Sequence, residues 1–585
     1  MSVQPHPSSV RGGGHLGPLR DLGRRARRLS PSWRWLAEGI WWIEHGFERA
    51  RAHGRPEEDS RVRIFLVLAV FGLVFAALGL KAAYSALLAP VDAGYRGVAS
   101  DRSRADLVDR NGRLLATDVI FYAMFIDPLQ VWDRDVAYRE IRQAMPGLDA
   151  ERLKGAIWGD RQVIVASGLT PEERARVHDL GLGGVTFSME DGRVYPLEGE
   201  ARHLIGSTDT GGQGISGVEL AFDKELRAEG AAGAPFELSI DLRIQGVVES
   251  ELAATMAETG AKAGVAIVTN VQTGEVLAMA SWPGRGSRNL ATSGHYEMGS
   301  VFKSFAVAAG LDTGAADMAT LFDASEPFMI GNRRITDFHA QNRVMTLEEV
   351  YLHSSNIGTS RLAVQMGPDV MKDYFGRLGL LERAPIELLE SAAPKVPSDW
   401  TPTTLASLSF GYGIMVTPVQ VIAAVGALSN GGRYVPLSLR KGGALDAEPR
   451  RVVSPQTSLN MLDLMRRNVV RGSGGRANAP GLRVGGKTGS ANKWTGTRYD
   501  PAVALGTFIG VFPADGPLDA PRYAILVLVD EPGSYPRTGG FVAAPAVGRI
   551  ADRIAPFVGV GRADDRWNLA DGRPNPTLRD MEGSL

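Results

Sequence analysis

A serine and a lysine stand three residues apart at the start of an apolar run, in the segment GSVFKSFAVAAGLD (Gly299–Asp312). In a helix, residues i and i+3 share one face, so the Lys303 amine can meet the Ser300 hydroxyl. An apolar setting disfavours an ammonium, so the lysine can act as a base, and the first helical turn favours negative charge at the serine. This pattern predicts a nucleophile with its general base one turn away. The alternative is a surface helix with an incidental Ser and Lys, since about one Ser-x-x-Lys is expected by chance.

The scarcity of lysine in this chain favours a chemical role for Lys303. The chain has ten Lys and fifty-four Arg, so arginine is its usual cation. Arginine keeps its proton in proteins, whereas a buried lysine can release one. A lysine inside an apolar helix is therefore expected to be there for its ability to lose a proton.

Two further segments carry the polar groups that such a serine would need. In HSSNIGTS (His353–Ser360), Ser354 and Asn356 fall in a loop between two helical patterns. In VGGKTGSAN (Val484–Asn492), Lys487-Thr488-Gly489 lie on a predicted strand after two glycines, which let a ligand or another backbone come close. Each segment taken alone is also explained as a polar turn or a strand-end turn.

The composition is that of a globular protein with two or three domains. The chain has 585 residues, of which 44% are hydrophobic and 22% charged, enough to bury large cores. A formal net charge of -1 argues against nucleic-acid binding. The lack of Cys excludes disulfides, thiolate metal sites and cysteine nucleophiles, and no metal or cofactor site is predicted.

The N-terminal region is expected to hold a cytoplasmic tail and a membrane anchor. Residues 1–63 contain twelve Arg against seven Asp and Glu. The stretch Ile64–Leu88 is long and apolar enough to span a bilayer if Lys81 snorkels, and the Arg-rich flank then stays in the cytoplasm. The alternatives are a buried core helix and a cleaved signal peptide. The tail also predicts an amphipathic helix that would lie on the membrane or dock a partner, from the spacing of Trp33, Leu36, Ile40, Ile43 and Phe47.

A non-catalytic module is predicted directly after the anchor, up to about residue 235. Arg104–Asp118 is expected to form a strand, a tight turn and a second strand. The glycine-rich Gly212–Leu226 superficially suggests a phosphate-binding loop. It lacks the strand and the lysine that such a loop requires, so the sequence does not support a nucleotide site there.

A second module, residues 236–556, is predicted to be an α+β domain. It begins with a helical pattern (Arg243–Gly260) and a hairpin pattern (Gly264–Pro283). Three strand patterns close it, Leu482–Ser490, Ala504–Phe512 and Tyr523–Val529. Two early strands, three late strands and helices between them predict a five-stranded antiparallel sheet flanked by helices.

The three polar segments, in this order, resemble the signature of the serine acyl transferases that react with penicillin: Ser-x-x-Lys, Ser-x-Asn and Lys-Thr-Gly. Five further features resemble class B penicillin-binding proteins. They are the segments LSFGYGIMVTPVQ (Leu408–Gln420), GTFIGVFPAD and GGFVAAPAVGRI, the anchor and the Asp109–Gly112 turn. The resemblance covers roughly residues 61–556. One departure is Arg104-Ala105, where that class usually has Arg-Gly.

The resemblance implies a domain order and a fold. The expected order is a cytoplasmic tail (1–60), a single transmembrane helix (61–89), a pedestal of the dimerisation type (90–235), the transpeptidase domain (236–556) and a C-terminal tail (557–585). The transpeptidase domain would have the β-lactamase-like fold of penicillin-binding enzymes.

The resemblance also implies a peptidoglycan D,D-transpeptidase without a cofactor. Its donor would be a stem peptide ending in D-Ala-D-Ala. Ser300 would attack the penultimate carbonyl and expel the last D-Ala, and an amine from a neighbouring stem would resolve the acyl-enzyme. Lys303 would be the general base, Ser354 would relay a proton to the leaving amine, and Asn356 would orient Lys303 and the substrate amide.

Substrate binding is expected along the last of the three segments. Lys487 would supply positive potential for the terminal carboxylate, and Thr488 and Ser490, on either side of Gly489, would hydrogen-bond it. The backbone N–H groups of Ser300 and Ser490 would form the oxyanion hole. β-Lactams would be covalent inhibitors of the same site.

The resemblance further implies a cellular setting. RVYPLEGEARHLIG (Arg193–Gly206) is closer to the division-specific type, with the elongation-specific type as the alternative. The expected partner is a polytopic glycan polymerase of the division complex (FtsW-type). The expected location is the bacterial inner membrane at the septum, with the catalytic domain in the periplasm. The three motifs would also fit a β-lactamase, and a catalytically silent division scaffold is a fourth hypothesis.

Overall fold

The structure, a computed structural model, describes residues 67–81, 104–197, 199, 201–284, 288–443 and 449–563. The chain divides into two compact units, residues 1–99 and 100–585. In the first unit, residues 67–81 are helical with exposed side chains. None of the helices in the described ranges has the length and apolar composition needed to cross a membrane. The predicted anchor Ile64–Leu88 extends beyond the described residues at both ends, and the predicted amphipathic helix lies outside them.

The second unit begins with the module predicted as a pedestal, and that name is kept for it below. Its elements are β1 (Leu107–Val108), β2 (Leu114–Ile126), α1 (Arg134–Ala144), α2 (Ala150–Ile157), β3 (Val163–Leu169), α3 (Pro171–His178), β4 (Val185–Val194), α4 (Arg202–Ile205), β5 (Ser207–Thr208), β6 (Gly214–Ser216), α5 (Gly217–Ala221), α6 (Asp223–Ala231) and β7 (Phe236–Glu237). The strands form a sheet of order β3-β2-β1-β7, with β4 also paired to β2. Helices α1, α2 and α3 contribute to a hydrophobic core against β2 and β3.

The predicted strand–turn–strand at the start of the pedestal is present. Asp109 shapes the turn, because its Oδ1 accepts the N–H groups of Asn111 and Arg113, both at 2.8 Å. Gly112 takes the positive φ of 80° that such a turn favours. The second carboxylate oxygen of Asp109 accepts the N–H of Leu242 at 3.0 Å. The turn is thereby tied to the first helix of the second module.

The glycine-rich segment of the pedestal belongs to a buried ion network. Glu219 is fully buried and accepts hydrogen bonds from Arg104 Nη2 and Arg193 Nε, both at 2.8 Å. Arg193 also pairs with Asp118 at 2.9 Å, and Arg104 pairs with Asp223. These carboxylates and guanidinium groups pair with one another, so the segment has a structural role. This agrees with the sequence, which did not support a nucleotide site there.

The second module, predicted as residues 236–556, follows. Its elements are α7 (Leu242–Thr259), β8 (Ala263–Asn270), β9 (Val276–Trp282), α8 (Leu290–Ser293), α9 (Lys303–Thr313), β10 (Leu321–Asp323), β11 (Phe328–Ile330), β12 (Arg333–Ile335), β13 (Val344–Thr346), α10 (Leu347–Leu352), α11 (Asn356–Arg377), α12 (Pro402–Leu408), α13 (Pro418–Ser429), β14 (Arg433–Tyr434), β15 (Arg450–Arg451), α14 (Pro455–Arg471), β16 (Gly485–Trp494), β17 (Tyr499–Phe512), β18 (Tyr523–Asp530), α15 (Gly539–Val542) and α16 (Ala544–Ile554).

The main sheet of this module has the order β16-β17-β18-β8-β9, antiparallel throughout. The early hairpin and the three late strands thus form one sheet, as the sequence pattern predicts. Both faces are covered, with α7 and α16 packed on one side and α9 and α13 on the other. This explains why β18 is buried along its whole length. Strand β16 lies at the edge, where a ligand can approach it.

Strand β16 differs from the predicted span at both ends. It begins at Gly485 because Arg483 takes a positive φ of 54° just before it, which interrupts the strand. It continues to Trp494, beyond a register shift between Asn492 and Lys493. The β16–β17 hairpin therefore extends past the predicted end of the strand.

Helix α9 is central to the module, as its apolar sequence predicts. Every residue from Lys303 to Gly310 is buried. The predicted start needs one correction, because the turn Gly299–Phe302 is a 3-10 helix and α9 begins at Lys303. The tighter turn still places Ser300 and Lys303 on the same side, since three residues complete one turn of a 3-10 helix.

Candidate active site

Lys303 connects the first two polar segments. Its side chain is fully buried, and its Nζ lies 2.9 Å from Ser300 Oγ, 2.5 Å from the Ser354 carbonyl oxygen and 3.0 Å from Ser354 Oγ. A neutral amine has two N–H groups and one lone pair. The carbonyl of Ser354 can only accept, so the Ser300 hydroxyl is well placed to donate to the lone pair. This is the ground-state geometry of a serine poised to lose its proton to a lysine.

Lys487 approaches the same serine loop from strand β16. Its Nζ lies 3.0 Å from Ser354 Oγ and 3.3 Å from Thr488 Oγ1. The hydroxyl of Ser354 therefore bridges two fully buried lysines. Thr488 Oγ1 is in turn 2.8 Å from Ser473 Oγ, on the loop after α14. The three predicted segments thus meet in one hydrogen-bonded chain that runs from Ser300 to Thr488.

The electrostatics of the two lysines favour a neutral base. Burial lowers the pKa of Lys303 well below its usual value, and the nearby charge of Lys487 lowers it further, while Asp337 opposes the shift. Burial lowers the pKa of Lys487 to about 7. Two lysines so close together resist being charged at the same time. A single proton on Lys487, with Lys303 neutral, gives one group positive charge for a carboxylate and the other a lone pair for a hydroxyl.

The loop between α10 and α11 holds Ser354 in an unusual conformation. The φ of Ser354 is 58°, in the left-handed region that residues other than glycine rarely adopt. This conformation lets the carbonyl and the hydroxyl of one residue both face Lys303. The next residue, Ser355, caps α11 by accepting the N–H of Gly358 at 3.0 Å.

Asp337 secures this loop from outside. Its Oδ2 accepts the hydroxyl of Ser355 at 2.7 Å and its Oδ1 accepts the N–H of Ile357 at 2.9 Å. The preceding carbonyl, that of Thr336, accepts Asn356 Nδ2 at 2.9 Å. The segment after β12 therefore fixes three consecutive residues behind Ser354.

Close backbone packing brings the nucleophile to strand β16. Gly299 has a φ of 54°, and a Cβ there would lie 2.4 Å from the carbonyl oxygen of Ser490. A Cβ on Gly489 would lie 2.5 Å from the carbonyl oxygen of Met298. Only glycine allows these approaches, so Gly299 and Gly489 place Ser300 beside Ser490. Ser300 and Ser490 are the two residues whose N–H groups the resemblance assigns to the oxyanion hole.

Two of the predicted residues have contacts that the sequence did not indicate. Asn356 donates to the Thr336 carbonyl, and the place next to Lys303 that the resemblance implies for it is filled by the carbonyl of Ser354. Ser490 is exposed, and its Oγ accepts the N–H of Gly539 at 3.0 Å, which leaves its own proton for a ligand. The hydroxyl in contact with Thr488 belongs to Ser473.

Sequence reasoning missed both Ser473 and Asp337. Asn468 anchors Ser473, because its Oδ1 accepts the Ser473 N–H at 3.1 Å while its Nδ2 donates to the Gly486 carbonyl at 2.8 Å. Neither Ser473 nor Asp337 carries a recognisable spacing to the other segments, so no local signal in the sequence marks them. In the described ranges, no group of three or more His, Cys, Asp or Glu side chains is arranged to hold a metal ion.

Comparisons with known proteins agree with the geometry. A family model described as the penicillin binding protein transpeptidase domain matches residues 264–552, and one described as the penicillin-binding protein dimerisation domain matches residues 100–234. A probable peptidoglycan D,D-transpeptidase FtsI of Caulobacter vibrioides is 46% identical over 577 residues, covering 93% of this chain and 97% of the relative.

Two more distant relatives have similar names. The peptidoglycan D,D-transpeptidase FtsI of Escherichia coli strain K12 is 30% identical, with 77% of this chain and 82% of the relative covered. A probable peptidoglycan D,D-transpeptidase PenA of Neisseria meningitidis is also 30% identical, with 78% of this chain and 85% of the relative covered.

Proposed function

The chain belongs to the penicillin-binding proteins of class B, the FtsI-type transpeptidases, and we propose that it cross-links peptidoglycan stem peptides through an acyl-enzyme on Ser300. The observation that carries this proposal is the continuous hydrogen-bonded chain Ser300–Lys303–Ser354–Lys487. It contains a nucleophile, a buried base, a hydroxyl relay and a second cation, which are the parts that acyl transfer from a carboxylate-bearing peptide requires.

Acylation starts with the terminal carboxylate of the donor held by Lys487 and Thr488. The Ser300 Oγ attacks the penultimate carbonyl carbon while the Lys303 lone pair takes the hydroxyl proton. The carbonyl oxygen becomes an oxyanion, which the backbone N–H groups of Ser300 and Ser490 stabilise. Loss of one such donor costs about 3 kcal/mol in the barrier of comparable sites.

Collapse of the tetrahedral intermediate breaks the amide bond and releases the last D-Ala. Its nitrogen needs a proton, and the Ser354 hydroxyl, in contact with both lysines, is placed to pass one on. The acceptor amine then enters the vacated position and loses its proton by the same route in reverse. Its attack restores Ser300 and completes the cross-link. Asn356 begins helix α11 directly behind the Ser354 loop, with its amide held by the Thr336 carbonyl. Gly489 lets the turn before Ser300 approach β16, and Ser490 supplies an additional hydroxyl for the carboxylate.

The covalent step is testable with a fluorescent penicillin. The wild-type protein should become labelled on Ser300, and Ser300→Ala should lose the label, while Ser188→Ala on pedestal strand β4 serves as a matched control. Mass spectrometry of reactions with a D-Ala-D-Ala peptide and an amine acceptor should show the cross-linked product. Undiminished labelling of Ser300→Ala would contradict the assignment. Rapid hydrolysis of penicillin, with no lasting acyl-enzyme, would favour a β-lactamase instead.

The cellular part of the proposal is a role in septal wall synthesis at the bacterial inner membrane. The Arg-rich residues 1–63 followed by the apolar Ile64–Leu88 support a single anchor with the catalytic domain in the periplasm. The anchor and the pedestal would then bind a polytopic FtsW-type polymerase. A fluorescent fusion should form midcell bands in dividing cells. Patches along the side wall would instead indicate an elongation enzyme, and growth of cells with only a Ser300→Ala allele would indicate a scaffold.

A further inference from the structure

A buried tyrosine packs against Lys487 without belonging to the hydrogen-bonded chain from Ser300 to Thr488. Tyr351 lies on α10, three residues before Ser354, and its side chain is fully buried. The Lys487 Nζ stands over the face of the Tyr351 ring, 5.7 Å from the ring centroid. A cation within about 6 Å of a ring centroid is attracted by the negative face of the ring. Tyr351 is therefore placed to act on the charge of Lys487.

Tyr351 is held in this position at both of its ends. Its backbone carbonyl accepts the N–H of Ser354 at 3.2 Å, so it begins the turn that carries the relay hydroxyl. Its own hydroxyl lies 2.9 Å from the Oγ of Ser304, the residue after Lys303 on α9. Ser304 is fully buried as well, so each hydroxyl is satisfied by the other where water does not reach. These two contacts fix the orientation of the ring against Lys487.

Lys487 carries its charge next to neutral oxygen atoms. The described hydrogen bonds of its Nζ go to Ser354 Oγ at 3.0 Å and to the carbonyl oxygen and Oγ1 of Thr488, both at 3.3 Å. Burial lowers the pKa of Lys487 to about 7, so the charge is only just retained at neutral pH. The face of the Tyr351 ring adds negative potential that these three contacts do not supply.

The charged groups on the neighbouring elements have contacts of their own. Asp337 holds the loop of Ser355 and Ile357, and Lys303 has a pKa well below its usual value because of burial and the charge of Lys487. The remaining charged side chains of α10 and of α14, which binds β16 through Asn468, are also engaged. Glu348, Arg467, Arg471 and Asp463 pair with one another, Glu349 pairs with Arg343, and Arg466 binds the Val484 carbonyl.

We propose that Tyr351 is a positioning residue for acyl transfer, whose ring face stabilises the ammonium of Lys487 while the Ser304 hydroxyl holds the ring in place. The ring thereby helps to keep the shared proton on Lys487, which leaves Lys303 neutral and able to accept the proton of Ser300. Burial raises the pKa of Tyr351, so the phenol stays neutral and gives no proton to either lysine. The inference rests on the proposed function, because it acts through the roles assigned there to the two lysines.

The test changes the charge distribution of the ring while its size stays nearly constant. Tyr351→Phe is the reference, and monofluoro-, difluoro- and pentafluorophenylalanine at the same position withdraw electrons from the ring face in steps. Acylation by a penicillin with a free carboxylate is measured against pH for each full-length variant. The alkaline fall in rate should move to lower pH along the series, by about one pH unit for the pentafluoro ring. The acid fall should stay in place, because Lys487 is charged at low pH in every variant. An alkaline fall at the same pH throughout the series would overturn the proposal.

Three comparisons separate an effect on charge from an effect on structure. The methyl ester of the same penicillin has no carboxylate for Lys487 to attract, so its rates should not follow the series. Adding Ser304→Ala to each variant removes the second buried hydroxyl, which is better tolerated than leaving it unpaired, and the same shift should remain. The same fluorinated residues in place of Tyr138, a half-buried tyrosine on pedestal helix α1, should leave the profile unchanged.

The outcomes distinguish this inference from the proposed function. A shift that also appears with the methyl ester, or with the substitutions at Tyr138, would reflect a general change of structure and would overturn the role of the ring. If the wild type takes no penicillin label at any pH, the proposed function fails together with the inference. Normal labelling of the wild type, with a profile that does not respond to the ring, refutes the role of Tyr351 alone.

Discussion

Arg104 in the pedestal and Lys303 in the catalytic module are both buried cations, but their surroundings differ in kind. Arg104 meets the carboxylates of Glu219 and Asp223, so its charge is matched. The described hydrogen bonds of Lys303 go to two hydroxyls and a carbonyl, and the charge of Lys487 lowers its pKa further. Arginine stays protonated in either setting, whereas lysine releases its proton when its charge is not matched. The charge of Arg104 therefore stabilises the fold, whereas Lys303 loses its charge and becomes available as a base.

The largest expected effect comes from exchanging the two kinds of cation at the active site. Lys303→Arg keeps a positive side chain but cannot take the Ser300 proton at any accessible pH. We expect acylation by a fluorescent penicillin to fall by roughly a thousandfold, within the range that general base catalysis contributes. Stopped-flow or time-resolved gel labelling of the full-length protein measures it.

The reverse exchange in the pedestal is the matched control for this prediction. Arg104→Lys keeps a charge opposite Glu219 and leaves the catalytic groups untouched, so labelling per folded molecule should stay at the wild-type rate. A Lys303→Arg protein that acylates within a fewfold of the wild type would contradict the role of Lys303 as the base.

The second largest effect is expected from a substitution that removes the buried carboxylate charge of the pedestal. Glu219→Gln leaves Arg104 and Arg193 facing a neutral amide in a fully buried position. Breaking a buried pair in this way costs about 3–5 kcal/mol in the free energy of unfolding. Denaturant unfolding monitored by circular dichroism measures the loss, with the exposed Glu172→Gln on α3 as a control.

The same variant separates stability from chemistry. Because Glu219 lies in the pedestal, the fraction of molecules that remains folded should take the penicillin label at the normal rate. A loss of labelling in folded Glu219→Gln protein would mean that the network also supports the catalytic centre.

The catalytic side of the comparison between Arg104 and Lys303 could largely be predicted from the sequence, because it depends on the spacing of residues close together in the chain. The i, i+3 relation of Ser300 and Lys303 holds whether the turn is α or 3-10, and alternating apolar strands at both ends of the module specify one sheet. The rarity of lysine indicated a chemical role for Lys303 independently of its contacts. Ser354 and Lys487 followed from the order of the segments in the resemblance.

The remaining parts of the site depend on packing between distant loops. Asp337 reaches Ser355 across 18 residues, and Ser473 reaches Thr488 across 15. Neither pair belongs to a helix or a strand with a fixed period, so no sequence pattern specifies it. Asn356 is a related case. The motif identified the residue, but its hydrogen-bond partner, the Thr336 carbonyl, lies in the segment after β12 and could not be predicted from the motif.

The third effect tests whether the two unmatched lysines act in opposite protonation states. The lowered pKa of Lys303 makes it a neutral base at moderate pH, so kcat/KM for penicillin acylation should fall as the pH drops below that pKa. The pKa of Lys487 is about 7, so it loses its charge, and its attraction for the carboxylate, as the pH rises above that value. The profile should be bell-shaped, with limbs of up to about tenfold per pH unit.

A ligand without a carboxylate isolates one limb of this profile. For the methyl ester of the same penicillin, the fall above about pH 7 should disappear while the fall at low pH stays. Persistence of the alkaline limb with the ester would show that Lys487 does not act through the carboxylate.

The smallest expected effect is at Asp337, a carboxylate that acts on the charge of Lys303 without a described ion pair to it. This carboxylate holds Ser355 and Ile357 and also opposes the lowering of the Lys303 pKa, so it is a weak counterpart to the matched charges of the pedestal. Asp337→Asn should slow penicillin acylation by about three- to tenfold, as expected for weakening one charged hydrogen bond. It should also move the acid limb to lower pH, because without the carboxylate the pKa of Lys303 falls further and the neutral base persists in more acidic solution. Asp337→Glu should restore part of the rate and return the limb towards its original position. A slower enzyme with an unshifted acid limb would mean that Asp337 only shapes the loop and leaves the charge of Lys303 unaffected.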